Sequence, residues 1–359
     1  MTTNIIQINS IENRMNKQNR LSNFEILRII AMLLVMITHC SFLTFGVPTY
    51  NDAHNNPIYS LSVFSGQSLS CICVNLFVLI SGWFGININK SKFIKLIGQI
   101  LFFSILVYLV LLLYNPSKYC NLSSASTILM LNTSDYWFIK AYIGLMIISP
   151  ILNKFIENTN KRTFEIFLVS FYIFQTIYGW LSIDGASWLG GGYSAFSFIG
   201  LYMLARYFRL YDGIWKYKKK NLWIICFFGI VVFQAVLAYT VTYINIPVAG
   251  RLFTYTNPLV IIQGLVLLFY FSKLKFESRI INWIASSCVA VYLLHANELV
   301  LRTYYGPFVK SLYDNNTSAI FFLKLILFLT IVFFTAIFLD KLRIALFNFL
   351  TPKKNKLTS

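Results

Sequence analysis

Long apolar runs alternate with short polar, basic stretches along this chain. Ten of the runs approach the length of about 20 residues that crosses a hydrocarbon core as a helix. They lie at 24–45, 69–88, 93–114, 136–153, 164–183, 193–211, 222–243, 256–274, 280–299 and 319–340. None alternates strictly, as a barrel strand would, and lipid excludes unpaired backbone, so each predicts a helix. The expected fold class is all-α: a polytopic membrane protein with about ten transmembrane helices. The pattern divides the chain into an N-terminal tail (1–23), a transmembrane domain (24–340) and a C-terminal tail (341–359). The first tail is polar and lacks a signal-peptide layout, so the first run is expected to be an uncleaved anchor. The outer loops 46–68 and 115–135 are rich in Asn, Ser and Pro, and neither is long enough for a soluble domain. No internal repeat is visible, which weakens an inverted-repeat carrier reading.

Composition agrees with the pattern. Hydrophobic residues make up 57% of the chain and charged residues 12%, where a soluble domain carries about a quarter charged. A net charge of +18 in a soluble chain would suggest nucleic acid. Here the basic residues sit between apolar runs, so membrane lipid is the expected partner and nucleic acid is not. Twenty-three of the 30 Lys and Arg fall in the tails and the even-numbered loops. The odd-numbered loops hold four: Lys118, Arg251, Arg302 and Lys310. The positive-inside rule then places both termini in the cytoplasm. Trp83, Trp215, Trp223 and Trp283 fall at inner ends of the runs, and Trp137, Trp180 and Trp188 at outer ends, as an aromatic belt would. The six cysteines are scattered, and the Cys71-x-Cys73 pair has no second cluster to complete a metal site. Unpaired thiols are expected, and no metal.

Candidate chemistry concentrates in the first run, FEILRIIAMLLVMITHCSFLTFG. Arg28 and His39 are eleven positions apart, about three helical turns plus 20°, so they share a face some 16 Å apart along the axis. Ionisable groups at such depth are costly and point to function. Glu25 sits three residues before Arg28, at the spacing of a helical ion pair. Glu298 and Arg302 repeat that logic at i, i+4.

The string F-E-I-L-R-I-I-A-M-L-L-V-M-I-T-H resembles the first helix of acyltransferase family 3, with Glu25, Arg28 and His39 on its acidic, Arg and His positions. Further matches follow in chain order. N-L-F-V-L-I-S-G-W-F (75–84) is similar to the stretch ending Ser-Gly-aromatic, through Ser81 and Gly82. Lys92 and Lys95 stand where the family has Arg-x-x-Arg. Y-W-F-I-K (136–140) resembles the segment opening on Trp-Phe, and V-Y-L-L-H (291–295) the late Tyr-Leu-x-His helix. Lysine keeps the charge of the two arginines but loses their planar fork.

The resemblance implies transfer of an acyl group, usually acetyl, from cytosolic acyl-CoA to a hydroxyl of a surface glycan or lipid-linked saccharide. The setting implied is a bacterial cell membrane. His39 and Glu25 are the implied catalytic residues, His39 as general base or transient acyl acceptor and Glu25 by fixing Arg28. Arg28, Lys92 and Lys95 would hold the acyl-CoA, with acetyl-CoA as co-substrate. Ser81, Trp137 and His295 would meet the acceptor. With no soluble domain fused, transfer is direct or is finished by a partner acyl-carrying protein outside the membrane. The alternative is a non-catalytic carrier or sensor of glycans or small molecules on the same fold.

Overall fold

A computed structural model describes residues 21–350 apart from 133, 183–188 and 212. The basic residues Arg14, Lys17, Arg20, Lys353, Lys354 and Lys356 and the belt residue Trp188 lie outside the described residues. Among those described, the chain is helical and holds no strand. The main helices are α1 (Ser22–Cys40), α2 (Pro57–Ser70), α3 (Cys73–Phe84), α4 (Lys90–Tyr114), α5 (Trp137–Asn158), α6 (Lys161–Gln175) and α7 (Ala195–Leu210). They continue as α8 (Lys220–Tyr243), α9 (Pro258–Ser272), α10 (Arg279–Ala285), α11 (Cys288–His295), α12 (Gly306–Asp314) and α13 (Ser318–Leu350).

Eight helical stretches are long and apolar enough to cross a membrane. A ninth candidate is broken, Arg279–His295 followed by Glu298–Asp314, with a bend of 58° between them. The remaining expected run, 193–211, forms α7, whose 16 residues reach about 24 Å. The Ser194 side chain caps its first turn by accepting from Ser197 N.

The second run differs most from its expected bounds. The span runs over Pro57–Phe84, so about half of the expected loop 46–68 belongs to it, and Tyr50–Asn55 before it is a further short helix. Proline at the first helical position and the Asn56 side chain, which accepts from Tyr59 N, start α2 where hydropathy is still low. Ser68, a buried polar residue of this helix, tolerates burial because it is bonded across the bundle. Ser68 Oγ lies 2.8 Å from Val231 O and 3.1 Å from Gln234 Oε1, and Gln263 Nε2 donates to Ser68 O at 3.0 Å.

The spans 57–84 and 249–272 are buried along most of their length, and the other spans turn outward over more of theirs. Around this core, α3 and α7 cross so closely that a Cβ on Gly82 would fall 2.3 Å from Tyr202 O and 2.8 Å from its Cα. Glycine in the Ser-Gly-aromatic stretch is therefore a packing requirement. Helix α7 lies parallel to α5, with Ala195 against Gly144 at one end and Tyr202 bonded to Asn153 at 2.6 Å further along.

Helix α1 and the α10–α11 segment also run side by side and parallel. Ser22 Oγ accepts from Ser278 N at 2.8 Å at one end, and His39 meets His295 at the other, both at a sequence offset of 256. Lys341 of α13 donates to Trp283 O at 2.8 Å, next to Asn282, which bonds Ser22 Oγ. The described chain thus begins and approaches its end at one end of the bundle. Trp83, Trp215 and Trp283 gather at that end, and Trp137 and Trp180 at the other.

Candidate active site

Two helix ends meet at the centre of the site. His39 is the penultimate residue of α1, just before the break at Ser41, and His295 is the last residue of α11, just before the 58° bend. Asn297 caps the helix beyond that bend by accepting from Leu299 N, and its Nδ2 donates to Tyr136 Oη at 3.0 Å. Tyr136 in turn donates to Leu293 O at 2.6 Å. The bend is braced from both sides, so His295 is held where it stops.

His39 Nδ1 lies 3.1 Å from His295 Nε2, and His295 Nδ1 lies 2.5 Å from Val291 O. The bonds fix the tautomers. A carbonyl oxygen only accepts, so His295 donates from Nδ1 and accepts at Nε2. His39 therefore donates from Nδ1 and keeps its lone pair on Nε2. His295 is 1% exposed, and it stands behind His39, away from the cavity.

His39 lines a cavity of about 430 Å³, a volume typical of small-molecule sites. Met32 and Val35 line it below His39, continuing the stripe of Arg28 at helical spacing. This limb is apolar, completed by Val74, Phe77 and Val289. The limb beyond His39 is mixed, with Gln67, Ser134, Thr254, Glu298 and Arg302. Trp137 stacks with Tyr255 at 5.8 Å between centroids, and Tyr193 packs at 4.4 Å and 5.0 Å from the two, forming one aromatic wall.

A histidine on a cavity between helices, held by a second histidine behind it, suits group transfer, and the chain's kinship agrees with it. Residues 21–339 match the acyltransferase domain family. The chain belongs to acyltransferase family 3. No curated protein and no solved structure matches it.

In this acyltransferase the other expected residues fall in separate places. Glu25 is buried and paired with Arg28, one turn below Met32. The helical rise puts Glu25 about 21 Å from His39, so it touches Arg28 and not the reacting end. Lys92 and Lys95 are exposed on the first turns of α4. Ser81 Oγ donates to Phe77 O at 2.8 Å and is 2.9 Å from Tyr142 Oη, and it does not line the cavity. Trp137 does line it, and His295 reaches it only through His39. Glu298 and Arg302 form the expected ion pair at its rim. Lys140 turns away to Asn132 O at 2.5 Å.

Sequence reasoning missed Gln67, Tyr193 and Tyr255. Gln67 fell inside the expected outer loop, and two tyrosines among 22 carry no signal of their own. No disulfide joins Cys40, Cys71, Cys73, Cys120, Cys226 or Cys288 among the described residues.

Proposed function

We propose that this protein is a membrane O-acyltransferase that moves an acyl group, acetyl in the simplest case, from cytosolic acyl-CoA to a hydroxyl of a surface glycan or lipid-linked saccharide. The observation that carries the reading is the lone pair of His39 Nε2, left free by the two bonded nitrogens behind it, on a residue that lines the cavity. His39 Nε2 takes the proton of the acceptor hydroxyl as its oxygen attacks the thioester carbonyl. The tetrahedral intermediate collapses, the C–S bond breaks, and the departing thiolate recovers the proton from His39. If the acyl group first rests on histidine, the same nitrogen is the nucleophile. His295 supports this chemistry by holding His39 in the right tautomer, a role that acts through His39 and not on the acceptor.

Direction follows from the charges. The end that gathers Ser22, Trp283 and Lys341 also carries the basic loops, which supports a cytoplasmic placement. Parity supports ten crossings. The chain's two described ends share one end of the bundle, which needs an even number of spans. The eight clear spans, the broken span and α7 make ten, and α7 runs beside α5 over the same depth. Arg28 then faces the cytosol and would hold donor phosphate, assisted by Lys92 and Lys95, while the apolar limb at Met32 and Val35 takes the thioester arm. The aromatic wall at Trp137 and the mixed limb receive the acceptor from outside, with transfer direct or completed by a partner acyl-carrying protein.

Replacing His39 by Ala in cells tests the reading. Surface O-acetylation should disappear at unchanged protein level, and acetylation that persists would overturn the catalytic assignment.

A further inference from the structure

The interior amides around the cavity are mostly spoken for. Gln234 Nε2 donates to Leu252 O at 2.5 Å, Gln263 Nε2 to Ser68 O at 3.0 Å, and Asn257 Nδ2 to Leu252 O at 2.6 Å. Gln67 breaks the pattern. It is 6% exposed, and its Oε1 has no hydrogen-bond partner among the described residues. Several other buried polar atoms lack a partner, but among the described residues Gln67 is the one of that group that lines the cavity with His39. A buried amide oxygen left unbonded is destabilising, and a ligand's donor would relieve it. Gln67 is also well placed relative to His39. The next-door Gly66 approaches Ser41 Oγ, whose hydroxyl donates to Val63 O at 3.3 Å, so α2 is fastened beside the end of α1.

We infer that Gln67 is a binding residue for the acceptor: its Oε1 accepts a hydrogen bond from a second hydroxyl of the molecule whose reacting hydroxyl faces His39. This rests on the acyl-transfer reading and narrows it. The acceptor class is a neutral polyol, such as a sugar with neighbouring free hydroxyls, because the charged groups lining the cavity, Glu298 and Arg302, already satisfy each other. The aromatic wall of Trp137, Tyr193 and Tyr255 offers the apolar face of such a ring a surface. A site built to bond a hydroxyl discriminates against molecules that lack it, since its own polar atom is then stranded.

The test uses the full-length protein with acetyl-CoA and two probes, methyl glucoside as polyol and 1-propanol as monohydric alcohol. For Gln67→Leu, kcat/KM with methyl glucoside should fall about tenfold, the loss of one good hydrogen bond. Transfer to 1-propanol should stay within twofold of wild type, which also shows that the variant folds. Gln67→Glu, which keeps an oxygen acceptor at the same reach, should restore part of the preference for the polyol. An equal loss on both probes, or none on either, overturns the inference while leaving the acyl-transfer reading standing. Wild-type protein that acetylates neither probe at any concentration removes both.

Discussion

Each end of α1 holds a polar pair, and the two pairs are built in opposite ways. At the Ser22 end, Glu25 pairs with Arg28 within one turn, and Arg28 keeps about a third of its side chain exposed. At the other end, His39 pairs with a residue 256 positions away that is almost wholly buried. The first pair is made within one helix, by residues three apart. The second exists only because two helices run parallel in register and both stop at the same depth. The difference teaches where precision is placed: the local pair can slide and snorkel, whereas the distant pair fixes a tautomer.

The largest effect should come from breaking the distant pair at its reacting member. His39→Ala is expected to lower acetyl transfer by about 10²–10⁴-fold, the usual worth of a positioned acid–base group. His39→Gln should do no better, since an amide cannot take up and return the proton. Single-turnover transfer from radiolabelled acetyl-CoA measures it, and a loss under tenfold would show that the base lies elsewhere.

His295 comes next. Outer partners that orient a histidine are typically worth about 10–100-fold, and His295→Ala should lower kcat by that amount with the donor KM unchanged. His295→Gln offers an amide oxygen to His39 Nδ1–H and should recover part of the loss. Equal damage from both variants would mean that His295 serves packing and not the tautomer. The contrast sharpens if Asn297→Ala, which unfastens the bend from Tyr136, gives a smaller loss of the same kind.

A third prediction concerns the frame that brings both helices to the site. Gly82→Ala would push a methyl against the Tyr202 backbone, where no side chain can rotate away. Overpacking of this kind costs about 1–3 kcal/mol. The thermal midpoint in detergent should fall while kcat of the surviving protein holds. An unchanged midpoint would show that α3 and α7 can part without cost.

The sequence made the local features readable. Apolar runs located nearly every helix, because in lipid a helix must satisfy its backbone within itself. The Glu25–Arg28 pair and the Glu298–Arg302 pair followed from spacing alone. The His39–His295 meeting did not, although a faint signal was present: Ser22 to His39 and Ser278 to His295 are both 17 residues, so parallel helices starting together must bring the histidines level. Gln67 and the first half of its span were hidden for a different reason. Hydropathy charges each polar residue its full cost, but Ser68 is buried with partners on α8 and α9, 163 to 195 positions away. Such bonds are invisible until the fold exists. The Ser-Gly-aromatic stretch was visible, but its meaning changed: Gly82 serves the crossing with α7, and Ser81 bonds within the bundle.

The smallest expected effects lie at the local pair, and they test whether it acts apart from the distant one. Arg28→Lys keeps the charge and loses the fork, so the donor KM should rise by about two- to tenfold with kcat unchanged, the range of one hydrogen bond. Lys92→Ala and Lys95→Ala remove exposed charges worth about 0.2–1 kcal/mol each, and their effect on the donor KM should fade as salt is raised. Glu25→Gln should act only through Arg28. In a double-mutant cycle its effect on the donor KM should therefore vanish in the Arg28→Lys background. An effect of Glu25→Gln on kcat that survives in that background would place Glu25 in communication with His39, and the two ends of α1 would then not be independent.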